Sequence, residues 1–393
     1  MSLSFISTST SSSPSPTSPL SPTSSPTSPP SQLVRFNKWY QNIHGYLSII
    51  VCIFGISSNI INILVLTRPK MTTPTNTLLT VIACYDFMTM VSYLPYAIYF
   101  YCYSSLEGGL GHSKSWIIFL IFHNKFVIIC HTSAMWTTVL LAVLRFFVVT
   151  NPKWNLTNQV PFFLFLFVVS VFCATVLTCM PMYFMHKLVD LDIQHNLNSS
   201  RSWIGNENIT AGQTKQRKFG YWLKENDALP DKILLLNFWL FGVLLKLAPC
   251  LLLSILSLLL IRSMRQANFK RKKLKQRQFW LNNTKSSHRN EAMLRKGVDC
   301  NRTTAMLVAV VLTFVVTELP PGIISLLSTF DYRIFEDIYV QLGDVWDILV
   351  LINSAVNFVL YCTMSRLYRR TICEMITFIK NKISNYFSGL CKC

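Results

Sequence analysis

The sequence predicts an all-α fold: a bundle of seven membrane-spanning helices followed by an amphipathic helix at the C-terminus. Three observations carry this. Of 393 residues, 51% are hydrophobic and only 13% charged, whereas a soluble domain carries about 25% charged residues. The apolar residues are gathered into seven runs, each long enough to cross a hydrocarbon core about 30 Å thick, which takes about 20 helical residues. Lys and Arg concentrate in the segments that fall on one side of those crossings. So low a charge content excludes an ordinary soluble enzyme and a disordered chain. The net charge of +19 would otherwise suggest a nucleic-acid binder; in a membrane protein it reflects cytoplasmic loops, and no nucleic acid is expected.

The elements follow in order. Residues 8–31 are almost entirely Ser, Thr and Pro, a composition with no apolar face to bury. A disordered extracellular tail is therefore expected over 1–43, a seven-span domain over 44–364 and a cytoplasmic amphipathic helix and tail over 365–393. No cleavable signal peptide is evident, so the first apolar run is expected to act as its own insertion signal. The spans are placed at 46–67, 77–101, 116–149, 160–184, 233–261, 305–329 and 338–363. The fifth is the clearest, with Lys246 its only charge. The seventh is interrupted by Asp344, Asp347, Asn353 and Asn357, which suit a helix facing other helices rather than lipid.

Charge sets the orientation. With the N-terminus outside, the inside segments 68–70, 145–159, 262–302 and 365–393 hold 23 Lys and Arg against 11 outside, and seven of those 11 lie in the long loop 185–232. Long loops weigh little in this rule, so the N-terminus is expected outside and the C-terminus inside, at the plasma membrane. Sequons at Asn198 and Asn208 fall in the outside loop as expected glycosylation sites. Residues 365–385 alternate basic and apolar groups and read as a helix on the acidic inner leaflet. Cys373, Cys391 and Cys393 are candidate palmitoylation sites beside it.

No catalytic constellation is present, so no enzyme is expected and no cofactor. His123 and His131 lie on one span without the further ligands a metal needs. The informative residues are polar groups inside the spans: Asn59, Asp86, Lys125, Arg145, Lys246, Glu318, Asp347, Asn353 and Asn357. Each is costly to bury and implies a partner. Lys246 and Glu318 lie near mid-depth on helices five and six and are candidates for a buried ion pair, with Glu318 facing a ligand as the rival reading.

With these residues in place, the chain resembles a rhodopsin-like G-protein-coupled receptor. Asn59 resembles that family's first-helix asparagine, Asp86 in IACYD its sodium-binding aspartate, and Arg145 in LRF the arginine of its Asp-Arg-Tyr motif. Pro249 and Pro320 match its kinking prolines, and NFVLY at 357–361 resembles Asn-Pro-x-x-Tyr with Phe358 for proline. The blocks 66–80, 131–146, 246–250, 302–323 and 343–369 are similar to invertebrate myosuppressin/FMRFamide-type neuropeptide receptors. The departures are Leu144 in place of the acid before Arg145, Glu318 in place of a tryptophan, and no cysteine in the loop 185–232 or at the top of helix three.

The resemblance implies an extracellular amidated peptide as ligand and a heterotrimeric G protein, of the Gi/o type, as partner. It implies that Arg145, Pro320, Asn357 and Tyr361 serve activation and coupling, and that Asn59, Asp86, Asn353 and Lys246 form a polar core with a possible sodium ion at Asp86. A carboxylate suits a peptide guanidinium, so Asp347 or Glu318 is the expected arginine partner, with Trp346 and Tyr96 against the aromatic tail. The alternatives are a chemosensory receptor of the same fold and a multi-span transporter. A transporter would show internal symmetry between its halves, which the sequence lacks.

Overall fold

The computed structural model describes residues 32–103, 112–150, 160–183, 186–192, 219–225, 230, 235–236, 239–281 and 308–390. Among these described residues, seven helices are long and apolar enough to cross a membrane. The tail up to residue 31, the sequons at Asn198 and Asn208, and Cys391 and Cys393 lie outside the described residues.

The first helix, α1 (Gln32–Leu66), has 35 residues, about 52 Å of helix against a hydrocarbon core of about 30 Å. It begins twelve residues ahead of the boundary drawn from composition, so the segment 32–43 is helix rather than tail. Aromatic residues from Phe36 to Tyr40 stack along it, and the Asn37 amide donates to Gln341 Oε1 at 3.1 Å, which ties the extension to the turn just ahead of the seventh helix. A turn at Pro69–Met71 leads to α2 (Pro74–Tyr96). Thr73 caps α2 by accepting from the Asn76 backbone N–H at 3.2 Å, with Pro74 at its first turn, as helix N-termini require. Pro95 removes a backbone donor near the end of α2, and the helix widens into a π-helical segment, Ala97–Tyr103.

The third helix, α3 (Lys114–Thr150), is the central strut, with 83% of its most apolar stretch buried. By contrast α4 (Val160–Tyr183) is peripheral, with 17% buried, and Phe162, Phe163, Phe165 and Leu166 face outward as a lipid-facing surface would. Within the loop 185–232, and in departure from a purely α-helical chain, two strands pair antiparallel: β1 (His186–Asp192) and β2 (Phe219–Glu225), with Val189 opposite Trp222. This pair lies against α3. All nine described cysteines are free.

A π-helical segment, Leu240–Leu247, opens the fifth span and continues as α5 (Ala248–Leu281), reaching well into the basic segment beyond the expected end at 261. The sixth span is α6 (Val308–Leu327). A short turn and the π-helical segment Phe335–Tyr339 precede α7 (Gly343–Met364), which starts five residues later than expected. Ser365 caps α8 (Arg366–Leu390), its hydroxyl accepting from the Tyr368 N–H at 3.2 Å. Lys70 and Arg370 both meet Glu374 on α8, at 2.9 and 3.1 Å, exposed pairs that contribute little to stability. The apolar core divides into a large cluster around the inner halves of the helices, a second around Met90, Tyr93, Tyr96 and Phe100, and a small third around Ile128, Cys179 and Leu245.

Candidate functional site

Polar side chains gather inside this bundle at three depths. The outermost group joins α1, α2, α3 and α7. Asp344 and Asp347 are one turn apart near the start of α7, so both face the same side, and both are fully buried. Tyr101 donates to Asp344 Oδ1 at 2.5 Å, and Tyr93 donates to Asp347 Oδ2 at 3.2 Å. The Tyr93 oxygen lies 3.0 Å from His44 Nε2, which also meets Ser48 Oγ at 3.2 Å. Because Tyr93 spends its proton on the carboxylate, its oxygen accepts from His44, which fixes Nε2 as the protonated nitrogen. His44 Nδ1 is then an acceptor with no partner among the described residues.

Beside this chain, Ser92 meets His123 Nδ1 at 2.8 Å, and the His123 ring stacks on Tyr96 with centroids 4.5 Å apart. Tyr96 is fully buried among Tyr93, Phe100, Tyr101 and His123, so in this state it belongs to the wall of the cluster. Trp346 is also buried, and its indole N–H has no acceptor among the described residues. Lys125 is buried on the outer half of α3, near Cys179.

The middle group is a triad. Lys246 Nζ donates to Glu318 Oε2 at 2.8 Å, and His131 Nε2 lies 2.8 Å from Glu318 Oε1. All three side chains are buried, Glu318 completely. One carboxylate on α6 thus joins α3 and the π-helical opening of the fifth span.

The innermost group surrounds Asp86. The Asn357 amide donates to Asp86 Oδ2 at 2.9 Å, linking α7 to α2. Asn59 donates to the Ser354 carbonyl at 3.1 Å, Asn62 donates to Asn59 Oδ1 at 3.3 Å, and the Tyr368 hydroxyl donates to Asn62 Oδ1 at 2.6 Å, carrying the network to α8. Asn353 is buried one turn from Asn357. The oxygens of Asp86, Asn59 and Ser354 suit a hard cation by chemistry; no group of three metal-ligating side chains exists among the described residues. Below this lies a cavity of about 50 Å³ lined by Arg145, Tyr361, Tyr368, Leu66 and Asn76. Leu144 is buried beside Arg145, and Pro320 lies within α6 two residues beyond Glu318.

The structure therefore brings Asp347 and Tyr96 into one outer cluster, with Trp346 buried on the same helix. It places Glu318 with Lys246 a level deeper, and Asp86, Asn357 and Asn59 deeper still. Cys373 is exposed on α8. Sequence reading passed over His44, Tyr93, Tyr101 and Asn62. Aromatic and amide side chains in apolar runs carry no signal of their own; the one available hint was that Tyr93 follows Asp86 by seven residues, on the same face of α2.

Comparison with known proteins now identifies the scaffold. The profile of the family described as "Serpentine type 7TM GPCR chemoreceptor Srw" matches residues 46–379. The chain is 31% identical to the G-protein coupled receptor dmsr-1 of Caenorhabditis elegans, over 84% of this chain and 68% of that one. It is 26% identical to the Sex peptide receptor of Drosophila melanogaster, over 85% of this chain and 72% of that one, and 24% identical to Sex peptide receptor-related protein 2 of C. elegans, over 86% and 72%. The chain is thus a multi-pass membrane protein that belongs to the serpentine seven-helix G-protein-coupled receptor family Srw.

Proposed function

We propose that the protein is a plasma-membrane receptor for an extracellular amidated neuropeptide of the FMRFamide/myosuppressin type, with its N-terminus outside, signalling through a Gi/o-type heterotrimeric G protein. The observation that carries this reading is the outer cluster, where two buried carboxylates, Asp344 and Asp347, share one face of α7 and are approached by tyrosine hydroxyls. A guanidinium satisfies such a pair through parallel charge-assisted hydrogen bonds. The Trp346 indole N–H, a buried donor, suits a peptide carbonyl nearby. Tyr96 and the rings around it supply apolar walls for an aromatic tail. Two of the relatives bear the names of peptide receptors, which agrees with a peptide rather than a small odorant.

In this reading both carboxylates are covered until the ligand arrives, so the peptide binds by favouring a more open outer bundle, and it shifts signalling only by its differential affinity for that arrangement. Arg145, Tyr361 and the cavity they line face the G protein. Asp86 and Asn357 hold water or a sodium ion between α2 and α7. The basic stretch at the end of α5 and the basic face of α8 rest on anionic lipid of the inner leaflet.

The test is a panel of amidated peptides and their free-acid forms applied to cells expressing the receptor, read by cAMP and by G-protein dissociation. Potency for amidated Arg-Phe or Arg-Leu peptides, lost in the free acids and abolished by pertussis toxin, supports the reading. Responses to small volatile or soluble molecules alone would replace it with the chemosensory alternative that the family description favours.

A further inference from the structure

We propose that the His131–Glu318–Lys246 triad is a buried latch that holds the inner half of α6 closed, and that signalling requires this latch to part. The Glu318 carboxylate is the only group that ties α6 to both α3 and the fifth span through charged hydrogen bonds among the described residues, each at 2.8 Å. Its position along α6 gives the tie a mechanical sense. The helix runs outward from Val308, so Glu318 lies just on the inner side of Pro320 and Pro321, where two successive residues lack a backbone donor and the helix is easiest to bend. Swinging the inner half about that joint carries the carboxylate away from both bases.

On the outer side of the joint the packing is different in kind. At Gly322 an added Cβ would lie 3.1 Å from Leu247 Cδ2 and 3.3 Å from Lys246 Cβ, and at Gly242 it would lie 3.0 Å from Ser325 Oγ. The outer half of α6 is therefore seated against the fifth span with almost no clearance, and seated contacts of this kind resist sliding. The result is a clamped half, a proline joint, and a free half secured by charge.

The register of the latch depends on the π-helical segment that holds Lys246. The Ala248 N–H bonds the carbonyl of Val243, five residues back. Returning this segment to α-helix would rotate its residues by about 100° for each residue of register, which turns Lys246 off Glu318. Water entering as the inner half swings out would rehydrate the three groups, so the latch opposes opening without forbidding it.

The latch is tested on the full chain in lipid nanodiscs, with no ligand and no G protein, so the outcome does not depend on the peptide reading. Spin labels on bioorthogonal residues at Thr150 and Val308, the inner ends of α3 and α6, report their separation by double electron–electron resonance. The double variant Lys246→Met with Glu318→Met removes the tie without leaving a buried charge. It is expected to raise the ratio of long to short separations about tenfold, an equilibrium shift of roughly 1.4 kcal/mol, and to raise ligand-independent nucleotide exchange in cells. The exchanged pair, Lys246→Glu with Glu318→Lys, is expected to return both readouts toward wild type. His131→Leu cuts one arm and is expected to give an intermediate shift. If the double methionine variant does not reach the membrane, the double variant Lys246→Gln with Glu318→Gln, which loses both charges and keeps polar side chains of similar length, decides by the same readouts. A wild-type separation and wild-type basal exchange in the deciding variant overturn the latch.

Discussion

Tyr93 on α2 donates to Asp347 on α7 at 3.2 Å and is in turn met by His44 of α1 at 3.0 Å, so a carboxylate, a phenol and an imidazole connect three helices in the outer half of the bundle. The Tyr93 hydroxyl occupies an acceptor site that a ligand cation would compete for. Asp347→Asn is expected to weaken an arginine-containing amidated peptide by about 10- to 100-fold, since a hydrogen bond to a charged group is worth about 1.5–3 kcal/mol. Tyr93→Phe is expected to change potency less, because it removes only the competitor. Dose–response curves at matched surface expression measure both, and an unchanged Asp347→Asn curve would dispose of this residue as the arginine partner.

Breaking the Lys246–Glu318 pair from one side should damage folding more than removing it whole. Lys246→Met or Glu318→Leu alone leaves a buried charge short of its partner, at a cost of about 3–5 kcal/mol, and surface expression is expected to fall sharply. The double methionine variant avoids that penalty and should reach the surface near wild-type level. Flow cytometry of an N-terminal tag on unpermeabilised cells measures this, and the same tag tests the orientation of the N-terminus.

The Asn357–Asp86 bond at 2.9 Å closes the inner half of α7 onto α2. Asn357→Ala removes a donor from a buried carboxylate and is expected to cost about 1–3 kcal/mol, read as a lower thermal unfolding midpoint of the purified receptor. If sodium occupies the oxygens around Asp86, sodium chloride should raise the wild-type midpoint relative to choline chloride, and Asp86→Asn should abolish the difference. Equal midpoints in the two salts would leave water as the occupant.

Cys373 is exposed on α8, two turns after the helix begins, beside Arg369 and Arg370. In the proposed topology, with α8 at the inner leaflet, such a thiol is within reach of acyl transfer, and acylation plus a basic face gives the two signals that firm anchoring takes. Metabolic labelling with an alkyne palmitate is expected to mark the wild-type receptor and to be reduced in Cys373→Ser. Label unchanged by that substitution would move the modification to Cys391 or Cys393.

Much of the architecture was legible in the residues. The third and fourth helices begin and end within two residues of the expected limits, because the demand for an uninterrupted apolar run across hydrocarbon is local. The fifth span runs on past its expected end at 261: hydropathy marks where lipid stops, whereas α5 continues as helix through FKRKKLKQRQF to Leu281, a stretch of good helix formers with no glycine or proline to stop it. The same limit hid the twelve extra residues of α1, which are held by Asn37 against Gln341, 304 positions away.

What the sequence determined by itself was the class of fold, the number of apolar crossings, and the set of polar residues too costly to leave facing lipid. Those properties sum over neighbouring residues and are readable in one dimension. Which polar residue answers which was decided only by the tertiary structure. The bonds from Tyr93 to Asp347, from His131 to Glu318 and from Asn357 to Asp86 join residues 187 to 271 positions apart. Such pairings depend on the rotation of each helix about its axis and on π-helical segments that turn one side chain by a fraction of a turn, and rotation of that kind is set by how whole helices pack against one another.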